Sequence, residues 1–313
     1  MKTIAPNYYT KFHCIADKCR HSCCIGWEID IDEDTLDFYQ SIGGDFGNKL
    51  HENIENDGES AHFSLVGKEE RCPFLKENRL CEMILTLGED ALCDICREHP
   101  RFYHVLSDRD EVGLGLCCEE AARLILSWEG DTILEVIDDD GEDTTPTAWE
   151  ETLFSLREHL FVLLQDREKP IHERAEEMLA FCHAEFPNKT PAEWRDIFLS
   201  LEQLDPAWRE TLESLGASQN VPLSDLEKPF ENLLLYFVYR HTAEAADEKD
   251  FSARVSFAYL GYHIIRLLCA TKKAQTGVCA FHELSELARR YSSEIEYSEE
   301  NTEALLLLLR QIE

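Results

Sequence analysis

Apolar residues recur every three or four positions through most of the second half of the chain, as expected of amphipathic helices. Thr190 followed by Pro191 adds a helix start, because threonine caps helix N-termini and proline is tolerated at the first helical position. The apolar spacing predicts helices over residues 149–165, 172–186 and 251–273. We therefore expect residues 148–313 to form an all-α domain.

The first part of the chain has a less regular pattern, in which short helical stretches alternate with loops. The spacing of apolar residues predicts helices over residues 34–42 and 119–128, and a small hairpin with its turn at residues 76–79. Residues 129–147 combine an acidic run with a glycine and a proline, which is typical of a solvated connection. The predicted fold is mainly α, with a cysteine-rich metal-binding region at residues 1–128, this connection, and the helical domain.

The charge of the chain restricts the classes of partner. Acidic residues number 63 against 30 lysines and arginines, which gives a formal net charge of −33. This charge repels phosphate backbones, and no lysine or arginine run supplies a basic patch, so we expect no nucleic-acid partner. The acidity serves solubility or attracts a cationic protein substrate, and charge alone leaves both open. The apolar segments are too short or carry an arginine, so we expect a cytoplasmic protein without a signal peptide or membrane partner.

The chain has thirteen cysteines, and ten of them are concentrated in the first part, between Cys14 and Cys118. A chain of 313 residues can bury a core without disulfide staples, and the cytoplasm keeps thiols reduced. The odd number also argues against a disulfide framework, so the cysteines indicate metal binding or redox chemistry. The remaining three, Cys182, Cys269 and Cys279, lie in helical surroundings and are expected to pack in the core.

Sites made mostly of thiolates select zinc or iron–sulfur clusters. A structural zinc site usually shows two close cysteine pairs, whereas this chain has one C-x2-C pair, Cys93 and Cys96, followed by His99. The other spacings are irregular for zinc and compatible with a cluster whose ligands come from separated loops. We favour a 4Fe–4S cluster, with zinc as the alternative. One member of each adjacent cysteine pair is expected to pack as a thiol, and the residues alone do not select four ligands among the ten.

Other chemistry is weakly indicated. The run at residues 113–120 has glycines two apart but lacks the third glycine and the clear strand–turn–helix context of a methyl-donor loop. Cys93 and Cys96 could form an exchanging redox pair, although thioredoxin-like strands around them are missing. Cys96 with His99 as a base would suit a nucleophilic cysteine, but metal ligation accounts for more cysteines at once.

The ordered cysteine motifs of roughly the first 128 residues resemble the flagellin lysine-N-methylase family, which overlaps cysteine-rich domains described as zinc- or iron-chelating. The resemblance lies in the set and its order, and it extends loosely into the helical part. Its elements are Cys14, Cys19, Cys23 and Cys24 with Trp27, Cys72 before Pro-Phe-Leu, Cys81, Cys96 before Arg-Glu-His-Pro-Arg, and Cys118 before Glu-Glu-Ala-Ala-Arg.

The resemblance implies methyl transfer from S-adenosylmethionine to lysine side chains of flagellin or a similar protein, by a protein that carries an iron–sulfur cluster. It names Trp27 and Arg101 as recurrent positions, which we take as cofactor-binding candidates, and it names no catalytic residue. The metal-ligand candidates that it gives are Cys14, Cys19, Cys23, Cys24, Cys72, Cys81, Cys96 and Cys118.

The chain departs from the family pattern at four positions. Cys93 and Cys117 are additions, Glu119 stands where proline is common, and His99 stands where tyrosine is common. The cysteine triplet of radical methyl-donor enzymes is also missing, so we assign no radical mechanism. The alternative function is a non-catalytic iron–sulfur or zinc protein whose helical domain binds a partner.

Overall fold

The computed structural model of the protein describes residues 1–56, 58, 60–142, 144–216 and 221–310. These residues contain thirteen α-helices and seven short strands, which confirms the mainly α prediction. The helices are α1 Glu33–Ser41, α2 Gly44–Glu52, α3 Glu82–Leu87, α4 Asp94–Glu98, α5 Glu119–Leu126, α6 Ala148–Leu164, α7 Ile171–Phe181, α8 Pro191–Ser200, α9 Pro206–Glu213, α10 Glu227–Thr242, α11 Glu248–Thr276, α12 Phe281–Tyr291 and α13 Glu299–Arg310. The strands are β1 Lys2–Pro6, β2 Asp30–Ile31, β3 Ile54–Asn56, β4 Ala61–Phe63, β5 Arg101–Val105, β6 Arg109–Leu114 and β7 Leu134–Asp139.

The chain forms two compact units. Met1–Phe12 and Tyr103–Glu313 make up one of them, which we call the helical unit, and His13–Phe102 make up the cysteine-rich unit. Eight of the thirteen cysteines lie in the cysteine-rich unit. The sequence-based domain limits of 1–128, 129–147 and 148–313 stay a prediction.

Helices α6 to α13 account for the regular α-structure that the apolar spacing predicts. Thr190 caps α8 as expected, since its hydroxyl accepts from the backbone of Glu193 while the Glu193 carboxylate accepts from the backbone of Thr190. The helix predicted over residues 172–186 ends at Phe181, shortly before His183, which has a left-handed φ of 48°. Within the described ranges, no helix combines the length and apolar character needed to cross a bilayer.

A four-stranded sheet in the order β5-β6-β1-β7 belongs to the helical unit and was not predicted. β1 pairs in parallel with β6 and antiparallel with β7. The residues of β7 lie inside the segment 129–147, which we expected to be an irregular solvated connection. Its acidic side chains are indeed exposed, but its backbone pairs with β1, so the segment holds an edge strand.

The cysteine-rich unit contains the three-stranded sheet β2-β4-β3 and a separate apolar core. Tyr39, Phe63 and Phe74 are fully or almost fully buried in that core, and their rings pack on one another. The predicted hairpin is confirmed, because Leu75 and Cys81 form an antiparallel bridge around the turn at residues 76–79. This core carries the candidate site.

Candidate metal centre

Backbone pairing places Cys24 opposite Cys72. The amide of Cys72 donates to the carbonyl of Cys24 at 2.9 Å, and the amide of Gly26 donates to the carbonyl of Glu70 at 3.1 Å. Gly26 has a φ of +87°, a conformation that glycine adopts without steric cost. Side chains that are directly opposite on one face of an antiparallel pair lie close together, so the two thiols are brought to the same place.

The hairpin returns Cys81 to the same region. The amide of Leu75 donates to the carbonyl of Cys72 at 3.1 Å, and the amide of Glu82 donates to the carbonyl of Phe74 at 2.8 Å. Cys81 is the N-cap residue of α3. A cysteine nine residues away in sequence is thereby folded back beside Cys72.

Cys93 and Cys96 come from the short helix α4. Cys93 is its N-cap residue, and residues three positions apart share a helix face. The Asp32 carboxylate fixes this helix, since one oxygen accepts from the amide of Asp94 at 2.9 Å and the other caps α1 by accepting from Thr35 at 2.9 Å. These two hydrogen bonds outweigh desolvation and lower the pKa of Asp32.

The result is a set of five thiols in or against one apolar core, which we call the thiol cluster. Its members are Cys24, Cys72, Cys81, Cys93 and Cys96. Four of them belong to the candidates carried over from the family. Cys93, which the sequence comparison treated as an addition, joins them because the C-x2-C spacing on a helical turn puts both sulfurs on one face.

Neighbouring thiols and burial set the charge of the cluster. Burial raises the pKa of Cys72 to about 12, and nearby thiols act in the same direction. The hydrogen bond with Cys93 and burial together raise the pKa of Cys96. A hydrogen bond from Cys23 lowers the pKa of Cys24 to about 7, despite its burial. Burial and mutual repulsion therefore oppose simultaneous ionisation of these thiols, and a bound cation would offset both effects.

The spacing of the sulfurs differs from that of a closed zinc site. Thiolates that bind one zinc at about 2.3 Å lie about 3.8 Å from each other in tetrahedral geometry. Across the residues that the structure describes, no three cysteine sulfurs lie within 4.8 Å of one another. A polynuclear cluster binds each thiolate to a different iron, so its ligands lie farther apart than those of a single zinc ion, and the choice between the two groups stays a prediction.

The other four ligand candidates are not among the residues of this apolar core, although Cys23 hydrogen-bonds with Cys24. Cys14 is exposed, and its sulfur accepts from the amide of Ala16 at 3.4 Å. The half-buried thiol of Cys19 donates to the carbonyl of His21 at 2.9 Å. Cys23 is exposed next to Cys24, and Cys118 is the N-cap residue of α5 in the helical unit. Ligation by these four stays a prediction.

Trp27 lies against the same core as the thiol cluster. Its indole N–H donates to the carbonyl of Cys23 at 2.6 Å, and its ring centroid is 6.1 Å from that of His99. Burial, helped by the charge of Arg101, lowers the pKa of His99 to about 4, so this imidazole is neutral at physiological pH. The Arg101 guanidinium donates to the carbonyl of Arg97 at 3.3 Å. Cofactor binding by Trp27 and Arg101 stays a prediction.

The glycine-containing run at residues 113–120 has the strand–turn–helix context that we expected to be missing, because β6 ends at Leu114 and α5 begins at Glu119. A Cβ on Gly115 would lie 2.1 Å from the hydroxyl oxygen of Tyr297. The missing side chain therefore makes room for a tyrosine of the same unit. The glycine is explained without a bound ligand.

Sequence reasoning missed a buried ionic network in the helical unit. Glu296 is fully buried at the end of a π-helical segment, Ser292–Glu296. Its carboxylate accepts from the Tyr236 hydroxyl at 2.9 Å and lies 3.3 Å from Nε of Arg240 and 2.8 Å from Nε2 of His241. Burial opposes its ionisation, but Arg240 and His241 outweigh burial and lower its pKa to about 2.

The family model described as the FliB lysine N-methylase C-terminal domain matches residues 185–313, which lie in the helical unit. The lysine-N-methylase of Salmonella typhimurium (strain LT2) is 34% identical to the chain over 130 residues, which cover 39% of this chain and 32% of that protein. The flagellar biosynthetic protein FliU of Salmonella muenchen is 33% identical over 130 residues, with 75% of its length covered.

The chain thus spans about a third of the length of the lysine-N-methylase it matches. No solved structure matches the chain. The match at residues 185–313 is independent of the cysteine motifs, because those motifs lie in the first 128 residues. Together with the coverage of FliU, it shows that the chain belongs to the flagellin lysine N-methylase family.

Proposed function

We propose that the protein is an S-adenosylmethionine-dependent protein lysine N-methyltransferase that acts on flagellin or a similar protein and carries a cysteine-ligated iron–sulfur cluster. The proposed activity rests on family membership, since curated relatives are named lysine-N-methylase. The net charge of −33 supports a cationic protein substrate, because it attracts a lysine-bearing segment. All thirteen cysteines are free thiols, in keeping with a cytoplasmic location.

The thiol cluster is the part of the chain that suits the metal group. Its donors are all sulfur, which favours iron–sulfur ligation over calcium, magnesium or manganese. Cys24, Cys72, Cys81 and Cys96 would hold the cluster, with Cys93 as a neighbouring fifth thiol. When bound, the group would neutralise the thiolates and cross-link three separate backbone segments. Its expected contribution is therefore to the stability of the cysteine-rich unit.

Iron content tests the metal part. Protein purified without oxygen should contain about four irons and four acid-labile sulfides per chain and absorb in the visible range. Cys72→Ser should remove most of the iron, because Cys72 is paired with Cys24 and joined to the hairpin of Cys81. Cys182→Ser is the matched control, since Cys182 is also buried but lies in the helical unit. Equal iron loss in both variants, or zinc at about one per chain without visible absorption, would contradict the assignment.

Mass spectrometry of flagellin tests the methyl transfer. Unmethylated flagellin monomers incubated with the iron-loaded protein and S-adenosylmethionine should gain methyl groups on lysines, and reactions without the methyl donor should not. The lysine must be neutral before it attacks the sulfonium methyl, so the rate should rise with pH below the lysine pKa. Iron-loaded protein that neither binds S-adenosylmethionine in calorimetry nor methylates flagellin would favour the non-catalytic alternative.

A further inference from the structure

The outer face of the three-stranded sheet in the cysteine-rich unit presents metal-binding side chains. His62 lies on the central strand β4, directly opposite Asp30 of β2 on one side and Glu55 of β3 on the other. Alternate residues of a strand point to opposite faces, and Ile31 and Phe63 enter the core. Asp30, His62 and Glu55 therefore form a row across the other face.

Glu28 completes a compact group with this row. The ligand atoms of Glu28, Asp30 and His62 all lie within 4.8 Å of one another. Nε2 of His62 is 3.7 Å from an oxygen of Glu28 and 3.9 Å from an oxygen of Glu55, which is too long for a hydrogen bond. The carboxylates thus surround the imidazole nitrogen without bonding to it.

The spacing agrees with ligands around a metal ion. A nitrogen and an oxygen that bind one ion at about 2.0–2.2 Å are separated by about 3.4 Å in tetrahedral geometry. The distance between His62 and Glu28 exceeds this value by only a few tenths of an ångström. Rotation of the exposed Glu28 side chain would close the difference. The imidazole is already restrained, because the His62 side chain is only 17% exposed.

The negative charge of the carboxylates around His62 also favours a bound cation. In the ranges that the structure covers, no lysine or arginine forms an ion pair with Glu28, Asp30 or Glu55. Three carboxylates around one imidazole therefore repel each other within a chain that is already strongly negative. A divalent ion bound among these side chains would offset this repulsion.

We propose that Glu28, Asp30 and His62 bind a divalent metal ion, with Glu55 as a further ligand. One imidazole with carboxylates suits ions such as Mn²⁺, Fe²⁺ or Zn²⁺, whereas the thiol cluster prefers softer metals. The site is thus chemically distinct from the thiol cluster, and it does not depend on the proposed methylase activity. The ion would tie β2 to β4 and stabilise the cysteine-rich unit by mass action.

Mn²⁺ titration of the purified full chain tests the site, with free Mn²⁺ followed by electron paramagnetic resonance. Mn²⁺ is the probe because carboxylates bind it well and thiols bind it poorly. Wild-type protein should bind a single ion that raises its unfolding temperature. Glu28→Gln and His62→Asn should each weaken binding by about tenfold or more, because even the loss of a group that only orients a metal ligand costs about 10–100-fold.

Glu77→Gln is the matched control, because Glu77 is exposed in the same unit and its replacement removes the same charge. Its affinity for Mn²⁺ should equal that of the wild type. Equal affinities for Glu28→Gln and Glu77→Gln would overturn the proposal and leave diffuse attraction to an acidic surface. Wild-type protein that binds no Mn²⁺ at millimolar concentration would overturn it as well. If His62→Asn unfolds, the exposed Glu28 still provides the test.

Discussion

Removal of the buried charge at Glu296 should destabilise the helical unit far more than removal of an exposed charge. Glu296→Gln leaves the Arg240 guanidinium without its counter-charge in the protein interior, 3.3 Å from the altered group. Breaking one side of a buried ion pair costs about 3–5 kcal/mol. The lowered pKa of Glu296 corresponds to a similar magnitude, because a fall from 4.5 to about 2 on folding amounts to about 3 kcal/mol.

The pH dependence follows from the same shift. Because the folded-state pKa of Glu296 is depressed, its contribution is present above about pH 4.5 and is lost as the pH falls towards 2. The stability difference between wild type and Glu296→Gln should therefore be greatest at neutral pH and shrink across that acidic range. The measurement is urea unfolding followed by circular dichroism at several pH values.

Glu177→Gln supplies the control, since Glu177 pairs with Lys169 at 2.7 Å on the surface, where both side chains are more than 40% exposed. An exposed pair contributes about 0–1 kcal/mol, so this variant should unfold nearly as the wild type does. A Glu296→Gln variant that loses no more stability than Glu177→Gln would refute the reasoning. A stability difference that is independent of pH would refute the charge-based explanation in particular.

Three further substitutions test how the helical unit is packed. Gly261→Ala should lower the free energy of unfolding by about 1–3 kcal/mol in urea, because the new Cβ would lie 2.8 Å from the Phe237 ring. Adding Phe237→Leu to the same chain should recover part of this loss. Gly115→Ala should displace the Tyr297 side chain, which would be seen as a change in near-ultraviolet circular dichroism, and an unchanged spectrum would contradict the contact. Thr190→Ala should cost about 1 kcal/mol in thermal unfolding through loss of the α8 cap, whereas Thr190→Ser should restore it.

The sequence predicted the helices well because their signals are local. The spacing of apolar residues and the capping motif each involve only a few neighbouring residues. The predicted start of α8 at Pro191 is therefore confirmed. The four-stranded sheet was missed because its pairs join distant segments, such as Lys2 with Arg109. The acidic character of β7 also concealed a strand, since an exposed edge carries charge without disturbing its backbone pairing.

Sequence and structure agree on the residue type of the candidate site and on part of its membership, while ligation by these residues stays a prediction. Cysteine density indicated a metal centre, and four of the eight candidates lie in the thiol cluster. The C-x2-C spacing was enough to predict that Cys93 lies beside Cys96. It gave no sign that Cys24 and Cys72 lie opposite each other on paired segments. That pairing depends on a bridge between Ile25 and Arg71, and single-sequence patterns carry no information on which distant segments pair.

The discontinuous make-up of the helical unit has a consequence for synthesis of the chain. β1 leaves the ribosome well before its partners β6 and β7, which begin at Arg109 and Leu134. The cysteine-rich unit, residues 13–102, is translated in full during this interval. Because domains fold as they emerge, this unit can fold while β1 is still unpaired. The edge of β1 therefore remains open to wrong partners until β6 and β7 have been translated.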